Sequence, residues 1–368
     1  MTQASQRPTR QLANAGVSIW LDDLSRSKLR TGELEQLIRD LDVVGVTTNP
    51  TIFAQSISSD SAYREQLEKL GNQNLTAEQK AFALMQEDVA AACDAMHDVF
   101  VASEGIDGWV SIEVSPELAN DAEATIDQAL LLNRAIAKPN LMIKVPATQA
   151  GLEAVARLTA QGICVNVTLI FSIMRYRQVV NAYLTGIECA RQSGHDIRTI
   201  HSVASVFISR FDTLVDSQTT RSSVELAGNS FGQFGISNAQ AIYQAFEEIF
   251  SSSRALYWRD QGMNVQRPLW ASTGVKDDRL APAHYVEQLV TPGAINTMPE
   301  KTLSALSELD DPAFTMAQNQ AETETVLNAF ANAGLNYTEV VDQLEAEGIA
   351  KFVSSWSELL ATIEETGS

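Results

Sequence analysis

Several kinds of chemistry are made unlikely by what this chain has little of. Cysteine is scarce: there are three, Cys93, Cys164 and Cys189. Their number is odd and no CxxC spacing occurs, so neither a disulfide framework nor a zinc site is expected, and the cytoplasm is the expected compartment. The four histidines, at 97, 195, 201 and 284, show no HExxH and no paired metal spacing. No metal and no organic cofactor is expected. Nowhere does an apolar run approach the ~18 residues of a membrane-spanning helix. The opening MTQASQRPTRQLANAG has no apolar stretch, so no secretory signal is expected, and its polar composition reads as a loose arm. Positive charge is also short, with 26 Lys and Arg against 46 Asp and Glu, a net charge of -20. That balance argues against nucleic acid and anionic membrane as partners. No GxSxG elbow is present, and the glycines fit neither a dinucleotide fingerprint nor a P-loop.

What the chain does have is a repeating alternation. Eight short, apolar, β-rich runs recur: VSIWL (17–21), VVGVTT (43–48), GWVSIEV (108–114), NLMIKVP (140–146), GICVNVTLIF (162–171), HSVASVFI (201–208), RPLWAST (267–273) and GAINTM (293–298). Amphipathic stretches such as DLSRSKLRTGELEQLIRDLD and SIMRYRQVVNAYLTGIECARQ lie between them. Alternating strands and helices imply parallel strands joined by crossovers. Eight such units imply a (β/α)₈ barrel, with an open doubly wound sheet as the alternative. The expected organisation is one domain over 1–368, with an N-terminal arm, an insertion near 209–266 and C-terminal helices near 313–366. Within the insertion, SVELAGNSFGQFGISNAQ is rich in Gly and Ser and reads as a loop or lid.

Most of the strands carry polar groups near their C-terminal ends. These are Asp22, then Thr47, Thr48 and Asn49, then Glu113, Lys144, Asn166 with Thr168, Ser205 and Ser272. A barrel gathers those ends at one mouth, where active sites are built. Each residue has a plainer reading: Asn49 before Pro50 and Ser115 before Pro116 could simply begin the next helix. His201 falls at a strand start, the wrong end of a barrel for catalysis, and reads as structural.

Lys144 is the anomaly, a lysine inside the apolar run LMIKVP. One reading is a salt-bridged network inside the barrel, which is costly unless every charge is paired. The other is chemical. Burial disfavours an ammonium, and a free amine can attack a ketone to form a Schiff base. The iminium then draws electrons from a carbon–carbon bond two atoms away. Glu113 and Asp22 suit the proton transfers that this needs, and Asn49, Asn166 and Ser205 could hold the hydroxyls of a polyol. Glu113 and Asp22 could also be a glycosidase pair, but that gives Lys144 no purpose. The other lysines, at 28, 69, 80, 138, 276, 301 and 351, sit in polar helical or loop contexts.

The stretches VGVTTNPTIF, WVSIEVSP, LMIKVPAT, ICVNVTLIFS, SVASVFISR and WASTGVK, in this order, resemble transaldolases. The longer form found in actinobacteria and cyanobacteria is the more similar. The resemblance runs from about 17 to 300 and is expected to take in the C-terminal helices too. It implies a class I aldolase-type barrel of the pentose phosphate pathway that needs no cofactor. Such an enzyme moves a dihydroxyacetone unit from sedoheptulose 7-phosphate or fructose 6-phosphate to glyceraldehyde 3-phosphate or erythrose 4-phosphate. It implies Lys144 as the Schiff-base lysine, Glu113 as a proton carrier through a water held with Thr168, and Asp22 rather than Asp23 as acid and base. Asn49, Asn166 and Ser205 then contact the sugar, and Arg210 and Ser272 its phosphate.

There is one departure. Shorter members carry an arginine two residues after that serine; here Gly274 stands, and Lys276 is a substitute or else a solvated loop charge. Phe207 stands where related fructose 6-phosphate aldolases have tyrosine, which favours transfer over release of free dihydroxyacetone. Such an aldolase, and a silent barrel that only binds sugar phosphates, are the alternatives. Family members are often dimers, and both homodimer and monomer remain open.

Overall fold

Alternation of side chains along each apolar run decides the architecture. The computed structural model describes residues 6–222, 231–315, 320–332 and 334–366. Each of the expected runs forms a strand: β1 Ser18–Leu21, β2 Val43–Val46, β3 Trp109–Glu113, β4 Leu141–Pro146, β5 Val165–Ile170, β6 Ser202–Phe207, β7 Arg267–Ala271 and β8 Ile295–Met298. Among the described residues these eight strands pair in chain order and β8 closes on β1, every pair parallel. The fold is a (β/α)₈ barrel, and closure excludes the open sheet.

Successive strand residues face opposite sides. On β4, Leu141, Ile143 and Val145 join the large apolar cluster between the barrel and its helices. Met142 belongs instead to a second cluster with Trp20, Trp109, Val203, Leu269 and Ile295. Lys144 shares the face of Met142. It interrupts an apolar run because only its neighbours face the helices. Gly45 opposes Trp20, and a Cβ there would lie 2.5 Å from the indole, so glycine is what admits the ring.

The helices follow their local signals, with three corrections. The stretch after β1 is not one helix but two, Arg26–Thr31 and Glu33–Leu41, parted at Gly32 with φ 76°. The expected loose arm is helical over Pro8–Asn14, with Pro8 at its start, which needs no backbone donor there. Leu12 is fully buried, and Thr9 Oγ1 donates to Asp42 Oδ2 at 2.9 Å. The expected Gly/Ser loop is helical from Phe234: Phe234–Phe250 buries Phe234, Ile236 and Ala239, an apolar face that outweighs its small polar residues. Residues 223–230 of that stretch lie outside the described residues.

Two helices, Gln320–Asn332 and Tyr337–Thr366, end the described chain. The second packs against the segments that follow β2, β3 and β6 and against β5 itself, so it runs along the C-terminal mouth. Thr51 and Ser355 hydroxyls meet at 2.8 Å, and Arg175 pairs with Glu345 at 3.0 Å to hold it there. At the other end of the barrel, His201 stacks obliquely on Trp109 with centroids 5.0 Å apart. Burial and the nearby Arg267 push its pKa down to about 4. Among the described residues no helix is long and apolar enough to cross a membrane.

Candidate active site

Strand register brings the central groups together. Glu113 on β3 pairs with Lys144 on β4, which pairs with Asn166 on β5. Three neighbouring strands thus set a carboxylate, an amine and an amide side by side at one height. All three are buried, with Lys144 4% and Glu113 3% exposed. Lys144 Nζ donates to the Thr48 carbonyl at 2.9 Å and stands 3.6 Å from Glu113 Oε2, an ion pair too long to be a hydrogen bond. Asn166 is held on both sides, donating to Ser111 Oγ at 3.0 Å and accepting from Ser205 Oγ at 2.7 Å.

Asp22 follows β1 directly. Its Oδ1 accepts from Thr47 Oγ1 at 2.7 Å, and Thr47 in turn meets Thr297 Oγ1 at 2.7 Å. Burial raises the pKa of Asp22, against the pull of the Lys144 charge. Glu113 is pushed up by burial to about 7, again opposed by Lys144. Asp23 is paired with Lys28 at 3.5 Å, although it too lines the cavity.

A cavity of about 810 Å³ opens above this layer. Asp22, Asn49, Lys144, Ser205 and Phe207 lie on its wall. So do Arg210, Ser272 and Lys276. Glu113, Asn166 and Thr168 are buried off that wall; Thr168 Oγ1 has no hydrogen-bond partner in the protein. Asn49 also caps the helix Pro50–Ser59, its Oδ1 accepting from Ile52 N at 3.1 Å, so the plain reading of this residue holds as well. Ser115 precedes a short 3₁₀ turn as expected, but its hydroxyl makes no cap.

Two mouth residues take left-handed backbone without being glycine: Leu169 with φ 61° and Ser272 with φ 55°. Leu169 falls where the β5–β6 register shifts. Ser272 O accepts from Ser209 N at 3.0 Å, and their hydroxyls meet at 3.0 Å. Such conformations cost energy and gather where a site over-determines them. Arg210 follows Ser209; its guanidinium lies 5.0 Å from the Phe207 ring centroid and 5.6 Å from that of Phe352. Gly274 is on the wall too, so the position of the missing arginine offers no side chain.

Three residues here have no role in the sequence reading. Thr47 and Thr297 orient Asp22, and their signal was their place at strand ends on the inward face. Lys351, from the Tyr337–Thr366 helix, lines the cavity although it comes from a polar helical stretch far along the chain.

A parallel barrel with a buried lysine between carboxylates at its mouth defines the class of lysine-bearing aldolase-type barrels. The transaldolase/fructose-6-phosphate aldolase family matches residues 19–363 of this chain. Full-length relatives are similar throughout. A transaldolase of Renibacterium salmoninarum is 48% identical over 358 residues, covering 97% of this chain and 96% of the relative. Transaldolase 1 of Streptomyces coelicolor is 46% identical, covering 97% and 94%. A transaldolase of Thermobifida fusca is 45% identical, covering 97% and 98%. The chain belongs to the transaldolase/fructose-6-phosphate aldolase family.

Proposed function

We propose that this enzyme is a transaldolase acting on sugar phosphates through a Schiff base on Lys144. The observation that carries the lysine is its placement: a buried amine 3.6 Å from a carboxylate, on the wall of a cavity large enough for a sugar phosphate. Nζ gives up a proton to the Glu113 carboxylate beside it and attacks the donor's C2 carbonyl, and the carbinolamine loses water to give an iminium. A base takes the C4 hydroxyl proton, the C3–C4 bond breaks, and its electron pair moves into the iminium to leave an enamine. The first aldehyde departs. The enamine carbon then attacks the acceptor aldehyde, the new alkoxide takes up a proton, and water hydrolyses the second iminium.

Asp22 suits the exchange at the C4 oxygen. It lines the cavity, and its raised pKa makes it a stronger base than an ordinary aspartate. Glu113 suits the dehydration and hydrolysis steps. A carboxyl near 7 can both give and take a proton at neutral pH, and Thr168, buried nearby on β5, helps to hold the water it works through. Asn49 and Ser205 bind substrate hydroxyls and Asn166 positions Ser205. Arg210, Ser272 and Lys276 receive the phosphate.

Phe207 supports transfer over cleavage. It lines the cavity and offers no hydroxyl to position a water for protonating the enamine, so the three-carbon unit waits for an acceptor. Borohydride reduction in the presence of fructose 6-phosphate tests the reading. A three-carbon adduct on Lys144 is expected, with net turnover of fructose 6-phosphate that requires erythrose 4-phosphate. No adduct on folded protein, with sedoheptulose 7-phosphate also tried, overturns it.

A further inference from the structure

The C-terminal helix turns one face to the cavity. Leu344, Glu347, Gly348, Lys351 and Phe352 all lie on the wall, spaced three and four residues apart as one side of a helix. Gly348 is where the helix comes in close. A Cβ there would lie 3.0 Å from Leu169 Cδ2 and 3.4 Å from Arg210 Nη1. The helix therefore packs directly beside Arg210, and Phe352 covers that guanidinium from the helix side.

Three cations meet at this point: Arg210, Lys276 and Lys351. Among the described residues none of them has a hydrogen-bond or ion-pair partner. Lys351 has an obvious candidate four residues back, in Glu347. Yet no ion pair forms between them, and Glu347 Oε1 accepts instead from Gln343 Nε2 at 2.7 Å. Partial burial, and after it the positive charges of Arg210 and Lys276, lower the pKa of Lys351. The charges of Asp22, Glu113 and Glu347 act on Arg210, and that of Asp22 on Lys276, but none of these carboxylates forms an ion pair with the three cations, which repel one another across the cavity. An anion between them would relieve this, because each cation–oxygen contact replaces a cation–cation repulsion.

We propose that Lys351 is a substrate-binding residue that completes, from the C-terminal helix, the site for the terminal phosphate of the sugar with Arg210 and Lys276. Gly348 sets the distance at which the helix delivers it. The proposal rests on the sugar-phosphate reading above and extends it to a residue that lies outside the barrel strands. It also gives that helix a role in choosing phosphorylated substrates over plain sugars. With a glycine at 274, a lysine carried by a separate element adds to the charge that Lys276 brings from the loop after β7.

Lys351→Met and Lys351→Arg test this, since an exposed helix position tolerates both. Inorganic phosphate is titrated into wild type and both variants by calorimetry, which reads the cations whether or not the enzyme turns over. Fructose 6-phosphate kinetics are measured alongside. Phosphate binding about tenfold weaker in Lys351→Met is expected, with KM for fructose 6-phosphate rising far more than kcat falls, and substantial recovery in Lys351→Arg. Phosphate binding that is absent in wild type, or equal in wild type and Lys351→Met, overturns the proposal. If phosphate binding responds as expected while no Lys144 adduct forms with either ketose phosphate, the phosphate site stands and the transaldolase reading fails.

Discussion

The lower and upper halves of the barrel interior are built from the same strands and spend their buried volume differently. At the lower end Trp20, Trp109, Met142, Val203, Leu269 and Ile295 fill the barrel with apolar surface. Further along four of the same strands stand Asp22, Glu113, Lys144 and Ser205. The lower layer stabilises the fold by removing apolar area from water. The upper layer costs stability, because desolvation holds two carboxyls above their ordinary pKa values. A barrel can tolerate the second because the first is rigid beneath it. The side chains above are then held by hydrogen bonds, such as Ser205 to Asn166 and Thr47 to Asp22, which need not also support the core.

Substitutions in the two halves should separate stability from activity. The largest effect is expected for Lys144→Met, which should lower turnover by roughly 10⁴-fold or more in a coupled steady-state assay while leaving a native circular dichroism spectrum. Retained turnover would remove the lysine from the chemistry. Trp20→Ala should do the reverse, costing about 3–5 kcal/mol in urea unfolding, since Gly45 opposite cannot fill the space. A small stability loss would mean the lower layer is not the foundation described.

Glu113→Gln probes the cost of the upper layer. Glu113 has a folded pKa raised to about 7, so its contribution to stability is full below the ordinary glutamate value and falls away as pH rises through 7. The variant should therefore gain on wild type as pH rises from about 4.5 to about 7, by up to about 1.4 kcal/mol per pH unit, and keep a constant advantage above that. Comparing the two proteins at each pH removes Asp212, which burial also raises to about 7. Parallel stability profiles would show that Glu113 is not held up in this way. The smallest effect is expected for Ser205→Ala. It removes one buried bond to Asn166, worth about 1 kcal/mol, and should raise the KM for the ketose donor severalfold. An unchanged KM would limit Ser205 to a structural role.

Much of this contrast is legible in the residues themselves. Period-two alternation gives the strands, and the polar groups at their ends give Lys144, Glu113 and Asp22. The helix at Phe234–Phe250 is hidden because glycines and serines are scattered through the stretch that leads into it, and its apolar face shows only against the rest of the fold. The arm was misread for a similar reason: Leu12 is a single apolar residue whose burial depends on elements far along the chain. Thr47 was visible as a strand-end threonine, but nothing local says that it would donate to Asp22 while touching Thr297 on β8.

The sequence by itself determined the strands, the inward face of each and the identity of the buried amine, because alternation and composition are local properties. Tertiary structure alone decided that Glu113, Lys144 and Asn166 stand level, since register is a relation between strands. It alone brought Lys351 to Arg210. A helix shows in its own residues which side is apolar, but not which distant element that side will meet.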